Sequence, residues 1–161
     1  MNGIVIIDKP QDWTSQDVTA RLRRVFNTRR IGHGGTLDPM ATGVLPVFVG
    51  RATRGVEFFE HAEKTYETVL RLGLTTDTED IWGETLEGRP VAFTAETLEQ
   101  VLGSFRGEIL QVPPMYSALK VNGQKLCDLA RKGKEVERKA RPITIHQLTL
   151  LSRPKIPCAC G

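Results

Sequence analysis

The stretch GHGGTLDPMATGV, residues 32–44, decides how the rest of this sequence is interpreted. It places one carboxylate, Asp38, and one imidazole, His33, in a loop that is rich in glycine. Gly34 and Gly35 are free to adopt backbone angles that are closed to other residues, so a ligand can approach the main chain there. The proline that follows Asp38 restricts it to extended or turn geometry, which places the acid on a stiff corner. The stretch therefore predicts either a site built around one acid or an ordinary turn in which Asp38 caps its own backbone.

Patterns of apolar residues on both sides of this loop predict an α+β domain. In chain order they predict a strand at 3–7, a helix from a Thr14 or Ser15 cap to about Phe26, a strand at 44–49, a helix at 52–61, a strand at 66–72, a Thr94-capped helix at 95–105, a hairpin turn at Asn122-Gly123, a short helix ending near Arg131 and a strand at 143–151. The apolar stripe of the 95–105 helix is expected to pack inward. Because strands, helices and hairpins are intermixed, the expected architecture is a mixed, largely antiparallel sheet flanked by helices.

The composition is that of an ordinary globular protein of about one domain, with 40% hydrophobic and 25% charged residues. The sequence contains no apolar run of the roughly 20 residues that a membrane helix requires, and it lacks the pattern of a secretory signal. Its cysteines are odd in number, which fits a reducing cytoplasm better than a disulfide framework, so a cytoplasmic location is expected. The chain is also expected to be a monomer. Cys158 and Cys160 have no second Cys or His pair at zinc spacing, and no metal site is expected.

The net charge of +3 is too small to indicate a nucleic-acid partner by itself, but the basic residues are clustered. One cluster lies in and just after the first predicted helix, and the other lies between residues 131 and 141. The clusters comprise Arg21, Arg23, Arg24, Arg29 and Arg30, and then Arg131, Lys132, Lys134, Arg138, Lys139 and Arg141. Such clusters can follow a phosphate backbone or form a solvated surface, and composition alone leaves both open.

The loop and its flanks resemble the catalytic motif of the TruB family, the synthases that convert uridine 55 of the tRNA T arm to pseudouridine. Further segments resemble the family in the same order, at residues 3–10, 64–66, 72–78, 113–120 and 141–143. The likeness covers nearly the whole chain up to about Leu151. It implies the pseudouridine synthase fold and a tRNA-modifying isomerase. It also implies that no cofactor is needed, because the reaction oxidises, hydrolyses and consumes nothing.

The resemblance implies roles for three residues. Asp38 matches the family's catalytic aspartate, which can attack as a nucleophile or stabilise positive charge at the ribose C1′. Tyr66 matches a tyrosine that stacks on the target uracil, and His33 matches a histidine that fills the place vacated by the flipped nucleotide. Without the resemblance, Tyr66 is better explained as a strand residue in the core, and His33 as a loop histidine bonded to local backbone.

Residues 113 to about 141 resemble the family's thumb, a flexible insertion that closes over the RNA loop. The sequence there combines a hairpin, a short helix and many basic side chains, which suits phosphate contacts to the T-arm stem-loop of tRNA. The possible RNA contacts are Arg30, Lys64, Lys132, Lys134 and Arg141. A solvated surface is the alternative for Lys64. Lys9-Pro10 is interpreted as a stiff structural support near the active loop.

The sequence departs from the family in two places. Cys127 stands where the family commonly has tyrosine, which is expected to affect packing only. The sequence also stops at CACG, residues 158–161, where the family continues with a Gly-Thr-Tyr-Ile-Arg motif whose arginine pairs with the catalytic aspartate. The chain is therefore expected to be the N-terminal portion of a catalytic domain, without the C-terminal RNA-binding domain and weak or inactive alone. The alternative function is a tRNA-binding or folding module that does not catalyse turnover.

Overall fold

A three-stranded antiparallel sheet organises the first of two units, Met1–Thr68 and Val69–Gly161, in the computed structural model. The structure describes residues 1–59, 62–117 and 119–152. The elements of the first unit are β1 (Gly3–Lys9), α1 (Ser15–Val25), β2 (Ile31–His33), β3 (Gly43–Val49) and a 3₁₀ helix (Gly50–Phe59). The strand order is β1-β3-β2, so β3 is the central strand and pairs with a neighbour on each side.

The core of the first unit lies on one face of β3. Its alternating residues Leu45, Val47 and Val49 are buried and pack with Val18 of α1 and Ile31 of β2. Alternation places these three side chains on one side of the strand, where α1 covers them. Burying each apolar side chain of this size stabilises the fold by about 1.5–3 kcal/mol.

The 3₁₀ helix contacts the opposite face of β3 at Phe48. Phe48 is buried there and packs edge-on against Phe59, with ring centroids 5.1 Å apart. The helix was predicted as an α-helix at 52–61, but the structure has a 3₁₀ helix that begins at Gly50, and residue 61 lies outside the described residues. Gly50 and Gly55 lower the α-helix propensity of this segment, which favours the tighter helix.

The two ends of the sheet carry different segments. Lys9 at the end of β1 pairs with Gly43 at the start of β3, beside the loop at 34–42. At the other end, Ile31 pairs with Val49, so the chain just before β2 lies next to the start of the 3₁₀ helix. The antiparallel register thus places the Asp38 loop at one end of the sheet and residues 29–30 at the other.

Helix α1 begins at the cap that the sequence predicts. The Thr14 hydroxyl accepts a hydrogen bond from the Asp17 backbone N–H at 3.0 Å, and the Asp17 carboxylate accepts one from the Thr14 backbone N–H at 2.9 Å. This reciprocal pair is a capping box, which satisfies two of the N–H groups that a helix leaves unpaired at its start. The hydrogen bonds from Thr14 lower the pKa of Asp17.

Thr14→Ala is expected to raise the pKa of Asp17 towards its ordinary value of 3.8, because the hydroxyl that favours the ionised carboxylate is removed. A carboxyl whose pKa is lower in the folded state stabilises the fold above its unfolded pKa, and that contribution disappears as the pH falls through the folded pKa. In the variant, the acid limb of the unfolding curve should shift to higher pH. Carbon-detected NMR titration of Asp17 measures the shift, and an unchanged pKa would contradict the capping box as its cause.

The described residues of the second unit form three short antiparallel strand pairs and two helices. Its elements are β4 (Leu74–Thr76), β5 (Thr85–Gly88), α2 (Ala95–Ser104), β6 (Gly107–Gln111), β7 (Lys120–Val121), β8 (Gln124–Lys125), α3 (Leu126–Ala130) and β9 (Arg141–Ile145). The pairs are β4–β5, β6–β9 and β7–β8. Gln111 pairs with Arg141, so residues 112–140 leave and return at the same end of the β6–β9 pair.

Several predicted elements of the second unit are confirmed. Thr94 caps α2, and its hydroxyl accepts a hydrogen bond from the Thr97 N–H at 3.2 Å. Asn122 and Gly123 both have positive φ, at 50° and 80°, as the predicted two-residue hairpin turn requires. The short helix before Arg131 is present as α3.

Three predictions about these elements are wrong. Residues 62–71 form neither helix nor strand, so the strand predicted at 66–72 is not present, and the strand predicted at 143–151 ends at Ile145. The apolar stripe of α2 does not pack inward, because none of its helix residues is buried and Val101 is 50% exposed. All strand pairs among the described residues are antiparallel, which agrees with the largely antiparallel sheet that the sequence predicts. Within that part of the chain, no helix combines the length and the apolar character that crossing a membrane requires.

Candidate active site

The Asp38 loop connects β2 to β3 and exposes its one acid. Asp38 is exposed, and its backbone carbonyl accepts a hydrogen bond from the Ala41 N–H at 3.0 Å, which closes a turn. Its carboxylate forms no hydrogen bond or ion pair with the described residues, so the interpretation that Asp38 caps its own backbone does not hold there. The carboxylate is therefore available to a ligand.

Ser15 anchors the loop on the N-terminal side of Asp38. Its hydroxyl is buried, accepts a hydrogen bond from the Leu37 N–H at 3.0 Å and lies 3.3 Å from the Leu37 carbonyl, to which it donates. Ser15 is the first residue of α1, so the helix holds the loop directly. The sequence suggests only a cap at this position. Ser15 and Leu37 are 22 positions apart, so no local pattern predicts their contact.

Lys9 anchors the loop on the C-terminal side of Asp38. Its side chain is fully buried, and its ammonium group donates to the carbonyls of Pro10 at 3.0 Å, Trp13 at 2.6 Å and Pro39 at 3.3 Å. The Asp12 N–H also donates to the Pro39 carbonyl, at 2.8 Å. This arrangement agrees with the interpretation of Lys9 as a support near the loop. Backbone on both sides of Asp38 is thus held while its carboxylate stays exposed.

His33 is the last residue of β2, and both of its ring nitrogens have a partner. Nδ1 donates to the carbonyl of Gly35, and Nε2 lies 3.4 Å from Nε2 of Gln16 on α1. Because a carbonyl can only accept, Nδ1 carries the hydrogen, and Nε2 of a neutral ring accepts from the Gln16 amide. These bonds orient the ring at the start of the loop, and they match the local backbone bonding that was the alternative for His33.

The two loop glycines are required for different reasons. Gly35 has φ of 143°, which side chains rarely adopt. Gly34 does not have positive φ, and a Cβ there would lie 2.9 Å from the ring of Phe48 and 3.4 Å from Phe59. The freedom of backbone angle expected at both positions therefore applies to Gly35, whereas Gly34 lets the loop pack closely on the aromatic pair.

Ser15→Ala is expected to release the loop at Leu37 without unfolding α1. The variant keeps the helix residues but leaves the Leu37 N–H without its acceptor, which costs about 1–3 kcal/mol in a buried group. Amide hydrogen exchange at Leu37 should accelerate by about tenfold or more. Ser104→Ala is the matched control, because Ser104 is exposed on α2 and donates to the Val101 carbonyl. Equal exchange at Leu37 in Ser15→Ala and wild type would show that Ser15 does not hold the loop.

Tyr66 and Lys64 lie in the segment without regular structure. Tyr66 is 65% exposed and forms no hydrogen bond or ring contact with the described residues, so it does not fill a core. Lys64 is exposed, and its ammonium donates to the Ala62 carbonyl at 3.1 Å. The structure does not connect either side chain to Asp38 by a hydrogen bond, and their roles stay predictions.

The other predicted RNA contacts are exposed basic side chains. Arg30 lies in the first unit, directly before β2, whereas Lys132, Lys134 and Arg141 belong to the second unit. Arg141 donates to Oε1 of Gln111 across the β6–β9 pair at 3.2 Å. The side chains of Lys132 and Lys134 form no hydrogen bond or ion pair within the described ranges. Their exposure is compatible with phosphate contacts, and none of them is buried in the fold.

No group of three His, Cys, Asp or Glu side chains that could hold a metal ion occurs among the described residues. Cys158, Cys160 and Gly161 lie outside those residues. Cys127, where the family commonly has tyrosine, is partly buried in α3, and its Sγ lies 3.9 Å from Oδ1 of Asp128.

Residues 23–157 match the family described as TruB family pseudouridylate synthase, N-terminal domain. The chain belongs to the TruB family. Its match includes the Asp38 loop, β2, β3 and most of the second unit. This match agrees with the resemblance that the loop, its flanks and the further segments suggest.

Curated relatives and a solved structure support the same placement. The chain is 49% identical to tRNA pseudouridine synthase B of Stutzerimonas stutzeri over 100% of this chain and 54% of the relative, and 47% identical to that of Escherichia coli K12 over 94% and 48%. This TruB-family chain therefore spans about half the length of these relatives. A crystal structure of a Cbf5–Nop10–Gar1 complex superposes with a TM-score of 0.61 and 26% identity, over 96% of this chain and 36% of the other. The predicted α+β pseudouridine synthase fold is confirmed.

Proposed function

We propose that the protein containing this chain isomerises uridine to pseudouridine at position 55 of the tRNA T arm, with Asp38 as the reacting carboxylate. The relatives named tRNA pseudouridine synthase B support tRNA as the substrate. One structural observation carries the role of Asp38: its neighbours Leu37 and Pro39 are both anchored, while its carboxylate is exposed and unpaired among the described residues. A carboxylate on an anchored backbone loses little orientational entropy when it reacts with a bound substrate.

The proposed reaction breaks the bond from uracil N1 to ribose C1′ and forms a bond from C5 to the same C1′. C5 loses its hydrogen and N1 ends with one, so substrate and product are isomers. The carboxylate of Asp38 acts either as a covalent nucleophile or as a negative charge that stabilises the positive charge developing at C1′. Both routes need the acid to point at the ribose from a stable backbone, which the anchored loop provides.

The target base must leave its stack before the reaction, at a cost of a few kcal/mol. We assign His33 to the space that the flipped nucleotide leaves, since its ring is already oriented by Gly35 and Gln16 at the start of the loop. We assign Tyr66 to stacking on the extruded uracil. Its exposure leaves the ring face available, and stacking of a base on an aromatic ring is worth about 1–3 kcal/mol.

Tritium release tests the proposed function. A T-arm stem-loop labelled with tritium at uridine C5 loses that label when the C5–C1′ bond forms. The intact protein should release the label from position 55 and leave other labelled uridines unchanged. A stem-loop with cytidine at position 55 is the control substrate. Binding of the stem-loop without any release would favour the alternative function, a tRNA-binding module without turnover.

A further inference from the structure

Four arginines surround an open cavity of about 580 Å³ at the end of the sheet opposite the Asp38 loop. They are Arg29, Arg30, Arg51 and Arg54, and together they are called the arginine cavity. All four side chains are exposed, and within the described part of the chain none of them forms an ion pair or a side-chain hydrogen bond. Among the residues that the structure describes, those that line the cavity include no acid.

The fold, and not the sequence, brings these arginines together. Arg29 and Arg30 precede β2, whereas Arg51 and Arg54 lie about twenty residues later on the 3₁₀ helix. The Gly50 N–H donates to the Arg30 carbonyl at 2.8 Å, which joins the two segments where β2 pairs with β3. In a 3₁₀ helix, residues three apart lie on the same face, so Arg51 and Arg54 project side by side.

Hydrogen bonds hold the backbone at the start of the 3₁₀ helix, next to the cavity. The Arg51 N–H donates to Oδ1 of Asn2 at 2.7 Å, and the hydroxyl of Thr53 donates to the Gly50 carbonyl at 2.9 Å. Gly50 has φ of 65°, and a Cβ there would collide with Asn2 and with the backbone of Met1. These contacts fix the backbone that carries the arginines. Guanidinium groups that line one cavity repel one another, and a bound anion relieves that repulsion.

We propose that the arginine cavity binds a backbone phosphate of the substrate RNA, a few nucleotides away from the flipped uridine. Planar guanidinium groups recognise phosphate in a bidentate manner. Gly32 lines the cavity and is the neighbour of His33 in β2, a strand of three residues and therefore about 10 Å long. That separation matches a few nucleotides of one strand, which are spaced by about 3.4 Å along a duplex. The inference rests on the proposed function, because it takes the same RNA as ligand.

Salt-dependent binding of a fluorescein-labelled T-arm stem-loop tests the inference. The double variant Arg51→Gln/Arg54→Gln should weaken binding by about tenfold and make the slope of log affinity against log salt shallower by about one, since each lost phosphate contact changes it by 0.7–0.9. Arg51→Lys/Arg54→Lys should keep most of that slope, because it keeps the charge. All four arginines are exposed, so the variants should fold, and their unfolding curves check this.

Arg21→Gln/Arg24→Gln is the matched control. It removes the same charge from α1, where Arg21 and Arg24 line a surface pocket together with Asp12 and Asp17. It should leave affinity and salt slope nearly unchanged. An equal loss in the control and in the cavity variant would show an effect of net charge alone and overturn the inference.

Three further outcomes distinguish the inference from the proposed function and from a free anion. Selective loss of RNA affinity in the cavity variant, without tritium release by wild type, supports the phosphate site while the proposed function fails. Tritium release by wild type with unchanged RNA affinity in the cavity variant overturns the phosphate site alone. Calorimetry with inorganic phosphate completes the test: loss of phosphate binding in the variant with unchanged RNA affinity would assign the cavity to a free anion and overturn the inference.

Discussion

Asp38→Asn is expected to lower the rate of pseudouridine formation by about 10³-fold or more while leaving RNA affinity within about threefold of wild type. The amide has the same shape as the carboxylate, but it can neither attack C1′ nor offer a full negative charge to it. Removing a catalytic nucleophile typically costs several orders of magnitude in kcat. The loop should keep its conformation, since Asp38 is linked to the described residues only through its backbone. Tritium release and anisotropy with the same T-arm stem-loop, measured on the intact protein, give the two numbers.

Asp8→Asn is the control for this prediction. Asp8 is also an exposed carboxylate of the first unit, on β1, and it lies outside the loop. Its replacement should leave turnover unchanged. If Asp38→Asn and wild type release tritium at equal rates, Asp38 is not the reacting group. If neither protein releases label although both bind, the chain belongs to a binding module.

Local patterns predicted the elements whose cause is local. The Thr14 cap and the Asn122-Gly123 turn each depend on a few adjacent residues, and the structure confirms both. The strand predicted at 66–72 depends instead on a partner strand, and its alternating pattern has no partner among the described residues. The stripe of α2 likewise indicates an apolar face without showing what covers it. Periodicity thus reports which face is apolar, and only tertiary contacts decide whether that face is buried.

The candidate site also combines residues that a local motif identifies with residues that only the fold brings together. Asp38, His33 and the two glycines are adjacent in sequence, so a motif could identify them. The anchors Ser15 and Lys9 reach Leu37 and Pro39 across 22 and 30 residues, and no spacing rule connects them. The arginine cavity depends on the pairing of β2 with β3 and on a 3₁₀ helix that was predicted as α. The sequence shows that these four residues are basic, but it does not show that they line one cavity.

Lys9→Met is expected to lower the free energy of opening of the first unit by about 2–4 kcal/mol. Methionine keeps most of the apolar stem, so the change isolates the ammonium. Its loss leaves the Pro10 and Trp13 carbonyls without a donor among the described residues, at about 1–3 kcal/mol each. Pro39 keeps the Asp12 N–H, so it adds little. Exchange of the buried Val47 amide should accelerate roughly 30- to 700-fold, since each 1.4 kcal/mol is a factor of ten.

The size of that effect shows which of two opposing free-energy contributions is larger, the lost hydration of the ammonium group or its hydrogen bonds. Burying an ammonium group costs several kcal/mol in lost hydration, and the variant recovers that cost. Three hydrogen bonds from one charged donor offset it, because charge-assisted bonds are about twice as strong as neutral ones. Lys139→Met, at an exposed position, should change opening by less than about 0.5 kcal/mol. If Lys9→Met matches that control, hydration and hydrogen bonding cancel, and Lys9 then contributes only to the position of Pro39 beside Asp38, the proposed reacting acid. A loss of kcat at unchanged opening energy would be the evidence for that positioning role.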